Sequence, residues 1–196
     1  MPSQGPNSCV TGADDNSYGT DIWLLPGNIT VSDDSRSTVA ITTGTHYLNA
    51  QDFGFTIPTG ATINGIVVEW EKSAASSGRG FAAVKDDRIR IIKAGSVGAT
   101  DKSDNTAWST TDTYVSYGSS TDLWGETWTV SNINGTDFGA VLAAKLSGAG
   151  TNTARVDHVR ITVYYTAASS GNFFLAFSKM LFPEMFKKRQ IRLACI

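Results

Sequence analysis

The chain has 196 residues, with 16 Lys+Arg against 18 Asp+Glu, a formal net charge of −2 and a pI near 5.6. That length supports one substantial domain that folds without a disulfide or metal staple, and the balanced charge gives no whole-chain bias toward nucleic acid or a membrane surface. No run approaches the roughly 18–20 apolar residues that a membrane-crossing helix needs, and Cys9 and Cys195 stand at opposite ends, outlining no disulfide framework.

Residues 1–20 are polar and read as an N-terminal arm. Their opening, "MPSQGPNSCVTGADDNSYG", lacks the basic and apolar regions of a signal peptide, so secretion by the general route is not expected. From residue 21 the chain is rich in Gly, Ser and Thr, and short β-branched runs are divided by Gly, Asn and Asp, the pattern of an all-β domain. The runs predict strands over 37–42, 45–49, 53–57, 61–71, 87–94, 113–117, 127–130, 138–146 and 155–166. Within them Ile66, Val68 and Trp70 share one face, Ile89 and Ile91 another, and Val159, Ile161, Val163 and Tyr165 a third. Helical periodicity is absent until about residue 172. Short strands with one apolar side and no intervening helices favour a jelly-roll-like antiparallel β-sandwich over residues 21–166.

Asp-Phe-Gly occurs twice, in "LNAQDFGFTI" (48–57) and "INGTDFGAVL" (133–142). In protein kinases this triplet grips magnesium, but kinases also need a glycine loop, a strand lysine, and a catalytic Asp with a downstream Asn. Here "GRGFAAVK" (78–85) runs into its lysine with no strand between, and "DHVR" (157–160) scrambles the catalytic tripeptide. Phe53 and Phe138 therefore read as core anchors, Asp52 and Asp137 as turn formers without a metal, and Gly54 and Gly139 as room for an approaching backbone. The two segments read as equivalent strand starts in the two sheets.

The acid pairs Asp14–Asp15, Asp33–Asp34 and Asp86–Asp87 lack EF-hand spacing and read as solvated turns. His46 and His158 are the only histidines; both are expected as hydrogen-bonded strand residues, a His158 base beside Asp157 being the enzymatic alternative. Neither a Gly-x-Ser-x-Gly elbow nor a His-Glu-x-x-His helix is present. No catalytic residue, metal or cofactor is expected. Trp108, Trp124 and Trp128, with Tyr114, fall around predicted loops in "NTAWSTTDTYVSYGSSTDLWGETW" (105–128). Flat rings beside hydroxyls and carboxylates can stack on the apolar face of a sugar, or instead fill the ends of the sandwich.

After the linker "AASSG" (167–171) the composition changes: residues 172–196 carry a net charge of +4 against −6 for residues 1–171. Phe173, Phe174, Phe177, Leu181, Phe182 and Phe186, followed by Lys187, Lys188, Arg189 and Arg192, predict a short helical or extended assembly tail that Pro183 interrupts. Its apolar groups favour docking on an adjacent subunit or another protein, with membrane attachment the lesser reading.

Three phrases, "YLNAQDFGFTIPTGATINGIVVEWE" (47–71), "WSTTDTYVSYGSSTDLWGETWTVSNINGTDFGAVLAA" (108–144) and "VDHVRITVYYT" (156–166), carry a resemblance. On them the chain, from about Asp15 to Thr166, resembles a recurrent type of phage and prophage virion-associated β-sandwich protein. "IPTGATINGIVVE" (57–69) also resembles the proline-glycine turn and following strand of jelly-roll modules in bacterial surface proteins. The resemblance implies a non-enzymatic structural component of a virion, such as a tail, fibre or capsid-decoration protein. Its expected partners are other virion proteins and further copies of itself in a homo-oligomer, with no nucleic acid. A carbohydrate-binding or adhesion module that engages a host surface glycan is the alternative.

Overall fold

The computed structural model describes residues 1–77 and 80–169; the expected assembly tail and Cys195 lie outside the described residues. In chain order the elements are β1 (Ser3–Ser8), β2 (Thr11–Asp15), a 3-10 turn (Pro26–Thr30), β3 (Ser37–Ile41), β4 (Tyr47–Gln51), β5 (Thr62–Ala74) and β6 (Ala83–Lys93). There follow β7 (Ser96–Val97), β8 (Thr113–Ser119), α1 (Val130–Asn134), β9 (Gly139–Ser147) and β10 (Asn152–Thr166). They form an antiparallel sandwich. One sheet runs β1–β10–β5–β8, with β3 sharing with β1 the edge of β10 that β5 leaves free; the other runs β2–β4–β9–β6–β7.

Period-2 alternation builds the core between the sheets. Ile66, Val68 and Trp70 of β5, with Val159, Ile161 and Val163 of β10, meet Leu48, Ile89, Ile91, Ala140 and Leu142 of the second sheet, all fully buried. Burying each of the larger side chains contributes roughly 1.5–3 kcal/mol as an upper bound, so this seam dominates stability.

Several expectations about the fold differ from the structure. Residues 1–20 are not an arm: β1 joins one sheet, the chain turns at Cys9, and β2 joins the other. Both are edge strands, one side of each unpaired among the described residues, and they lack the alternation that marks half-buried strands; Pro6 is tolerated because it falls at the bulge of edge strand β1. Cys9 is buried, and burial pushes its thiol up to about 12, which keeps it an inert thiol.

Residues 53–57 form no strand, because Asp52 and Gly54 adopt φ of 60° and 62° and break the extended run after β4. Phe53, Phe55 and Ile57 are nevertheless all 3% exposed, as their alternation requires. Residues 127–130 also form no strand. Thr129 instead caps α1, its side chain accepting from Asn132 N while the Asn132 side chain accepts from Thr129 N.

The two Asp-Phe-Gly segments are not equivalent starts in opposite sheets. They are antiparallel neighbours in one sheet, with Leu48 opposite Leu142 and Gln51 opposite Gly139, so the first triplet ends β4 and the second begins β9. Phe138, fully buried, meets Phe53 and Phe55 edge-on at 6.3 and 5.8 Å. Only the second glycine makes room for a backbone: a Cβ on Gly139 would lie 1.9 Å from the Ala50 carbonyl oxygen, whereas Gly54 has open space around it. Gly139→Ala is expected to push β4 from β9 and cost about 1–3 kcal/mol or more. A urea midpoint unchanged from wild type would show that the ladder absorbs the methyl group.

Candidate functional site

The tryptophans do not converge. Trp124 is 1% exposed, with its Nε1–H donating to the Ile66 carbonyl at 3.0 Å, and Trp108 is 8% exposed, with its Nε1–H donating to Asp86 Oδ1 at 2.8 Å. Neither can serve as the expected stacking platform, because both rings are buried, closing the sandwich beside edge strand β8. Trp128 is different. Its indole N–H donates to the Leu123 carbonyl at 2.9 Å, its ring meets Phe138 in a T-shaped contact at 5.5 Å and Lys93 Nζ lies 5.7 Å from its centroid, yet the ring stays half-buried.

That ring lines an open groove of about 820 Å³, together with Thr59, Gly60, Thr129, Ser131 and Asn134. The groove lies between the turn that precedes β5 and the first turn of α1. Both sides are held in place. The Asn134 amide donates to the Ile57 carbonyl and accepts from Ile57 N at 3.0 and 2.8 Å, lacing α1 to the segment that leads into the turn. Thr59, Thr129 and Ser131 are exposed and flank the half-buried indole at the mouth of the depression, the Thr129 hydroxyl being engaged in the α1 cap.

Tyr114 sits elsewhere. It pairs with Glu71 across β8 and β5, so about nine residues of strand, roughly 30 Å, separate it from the groove end at Thr62. One face of its ring is covered by the Arg160 guanidinium at 3.8 Å, which Glu69 holds through bonds of 2.9 and 3.1 Å. Its hydroxyl meets His158 Nδ1 at 2.8 Å, and His158 Nε2 meets Ser8 Oγ at 2.8 Å. Burial lowers the His158 pKa, which favours the neutral ring, able to bridge the two hydroxyls as one donor and one acceptor. This chain ties β1, β10 and β8 together across the outer face of their sheet.

The other histidine is equally structural. His46 Nδ1 pairs with Asp14 Oδ2 at 2.8 Å, Asp14 Oδ1 accepts from Trp23 N, and Trp23 Nε1–H donates to the His46 carbonyl. Together they latch Trp23 into the core at 2% exposure. The acid pairs are not all solvated turns. Asp14 and Asp15 lie in β2 and Asp86 is buried in β6, so only Asp33 and Asp34 form a turn, with Ser35 N donating to Asp33 Oδ1.

Asp86 belongs to a cluster that the sequence reading missed. Lys72 Nζ contacts both Asp86 Oδ1 and the Tyr117 hydroxyl, and lies 4.6 Å from the Trp108 ring centroid. Tyr117 also donates to Asp86 Oδ2 at 2.6 Å, and Asp104 N donates to the same oxygen at 3.1 Å. Lys72 and Asp86 are 4% and 3% exposed, and a cavity of about 210 Å³ opens beside them, lined by Asp104, Thr106, Trp108 and Tyr117. Burial lowers the Lys72 pKa, against the raising effect of Asp86; burial and then the Asp86 charge push the Tyr117 phenol up. A signal for Lys72 exists: it continues the inward parity of Ile66, Val68 and Trp70 by one step. Asp86 gives none, because the β-bulge between Asp86 and Arg88 reverses the parity that Ile89 and Ile91 define.

No protein-family model matches the chain, and no curated protein does. Among solved structures it is similar to the second N-terminal cellulose-binding domain of β-1,4-glucanase C from Cellulomonas fimi, at 17% identity and a TM-score of 0.40, over 84% of this chain and 100% of that domain. It is also similar to the N-terminal cellulose-binding domain of the same enzyme, at 16% identity and a TM-score of 0.34, over 82% and 97%. Superpositions this loose carry no argument about function.

Proposed function

We propose that this chain is a non-enzymatic β-sandwich module that binds carbohydrate in the groove at Trp128. The observation that carries it is the half-buried indole, held by its own N–H bond and by Phe138, beside the exposed residues Thr59, Thr129 and Ser131. An aromatic face matches the C–H face of a pyranose, hydroxyls match its rim, and a ring already locked in place loses little entropy on binding. The setting we propose is a virion surface, on the strength of the resemblance over residues 15–166, where a rigid glycan-binding sandwich would serve attachment.

The test is a glycan array probed with the full chain, followed by titration of whatever binds. Trp128→Ala should abolish binding, and Ser131→Trp, at an exposed position, should block the groove while leaving the thermal midpoint unchanged. Binding that survives both variants, or no glycan bound at all, overturns the reading. For the setting, the protein should be detected in purified particles and labelled on their surface by antibody.

A further inference from the structure

We propose that Lys72 and Asp86 are joined by an intramolecular amide bond that ties the two sheets of the sandwich covalently. Lys72 points inward from β5 of one sheet and Asp86 inward from β6 of the other, with the lysine nitrogen against a carboxylate oxygen in the core. The pair is walled by Trp108 and Tyr117. Two charges in such a place carry a large desolvation penalty, and an amide carries neither charge.

The surrounding groups suit the condensation. Burial lowers the Lys72 pKa, favouring the free amine that acts as nucleophile. A proton passes from the Lys72 ammonium to the Asp86 carboxylate, and the amine lone pair attacks Asp86 Cγ, forming the C–N bond. In the tetrahedral adduct Trp108 Nε1–H faces Oδ1, while the Tyr117 hydroxyl and Asp104 N–H face Oδ2; these are the donors an oxyanion needs. The bond from Cγ to Oδ1, the oxygen against Lys72, then breaks. That oxygen takes up the two protons of the former ammonium that do not remain on the amide, and leaves as one water, for which the cavity beside Asp104 and Thr106 provides an exit. No oxidant, cofactor or activated donor enters the balance. Holding the two groups in contact supplies an effective concentration on the order of 10⁵–10⁸ M, which is how a direct condensation becomes feasible at ordinary pH.

Intact-mass measurement of the full chain under denaturing conditions tests this directly. The wild-type protein is expected to be lighter than its sequence by one water, and its digest to contain a branched peptide joining the segments around Lys72 and Asp86. Lys72→Arg and Asp86→Ala are each expected at full sequence mass, a readout that does not depend on how well either variant folds. A wild-type mass equal to that of the sequence, in protein with the circular dichroism of a β-sandwich, overturns the proposal. So does a water loss that tandem spectra place anywhere other than this pair.

Discussion

Truncating Phe138 to alanine is expected to destabilise the sandwich by about 3–5 kcal/mol, a large share of the roughly 5–15 kcal/mol that holds a domain of this kind together. Phe138 is fully buried, touches Phe53, Phe55 and Trp128 through its ring, and stands at the first residue before β9, a central strand of its sheet. The cavity left behind would be bordered by three other rings, none of which can collapse into it without dragging a loop. Urea unfolding followed by tryptophan fluorescence gives the value from the midpoint shift at constant slope. A loss below about 1 kcal/mol would mean that the aromatic cluster repacks freely, and that Phe138 is not the anchor its position indicates.

Removing Asp86 is expected to be comparably severe: Asp86→Ala, which like Lys72→Met lacks the amide, should cost about 3–5 kcal/mol or more, since it leaves the Lys72 ammonium buried without a counter-charge. Four donors lose their acceptor together: Lys72 Nζ, Trp108 Nε1, the Tyr117 hydroxyl and Asp104 N. Lys72→Met should cost less, because Asp86 then keeps three of those donors and the unbranched thioether follows the lysine stem. The ordering is the sharper check. If Lys72→Met proves the more damaging change, the carboxylate is not the hub of the cluster.

Much of the fold was legible for a simple reason: a strand with one face in water and one in the core writes that difference into alternate residues. Ile66, Val68 and Trp70, and Val159, Ile161 and Val163, announced their burial, and Phe53 and Phe138 were recognisable as core residues from the same parity. Where that asymmetry fails, the reading fails. β1 and β2 are edge strands without clear alternation, so their sequences look like those of a free arm. Residues 53–57 alternate correctly yet form no ladder, because alternation reports burial and not hydrogen bonding.

The composition of the 105–128 stretch showed that aromatic rings gather there beside hydroxyls and acids, but not which rings face water. Tertiary structure decided that. Whether an indole is a platform or a plug depends on what closes the end of the sandwich, which is a property of strands distant in sequence: Ile66 accepts from Trp124 and Asp86 from Trp108, both buried, while Trp128 is left half-buried at a groove mouth. The Lys72–Asp86 contact is of the same kind. The parity of Lys72 hints at burial but Asp86 reads as a surface charge, and a bulge that turns Asp86 inward, together with the packing of one sheet on the other, is what brings the two together in the interior.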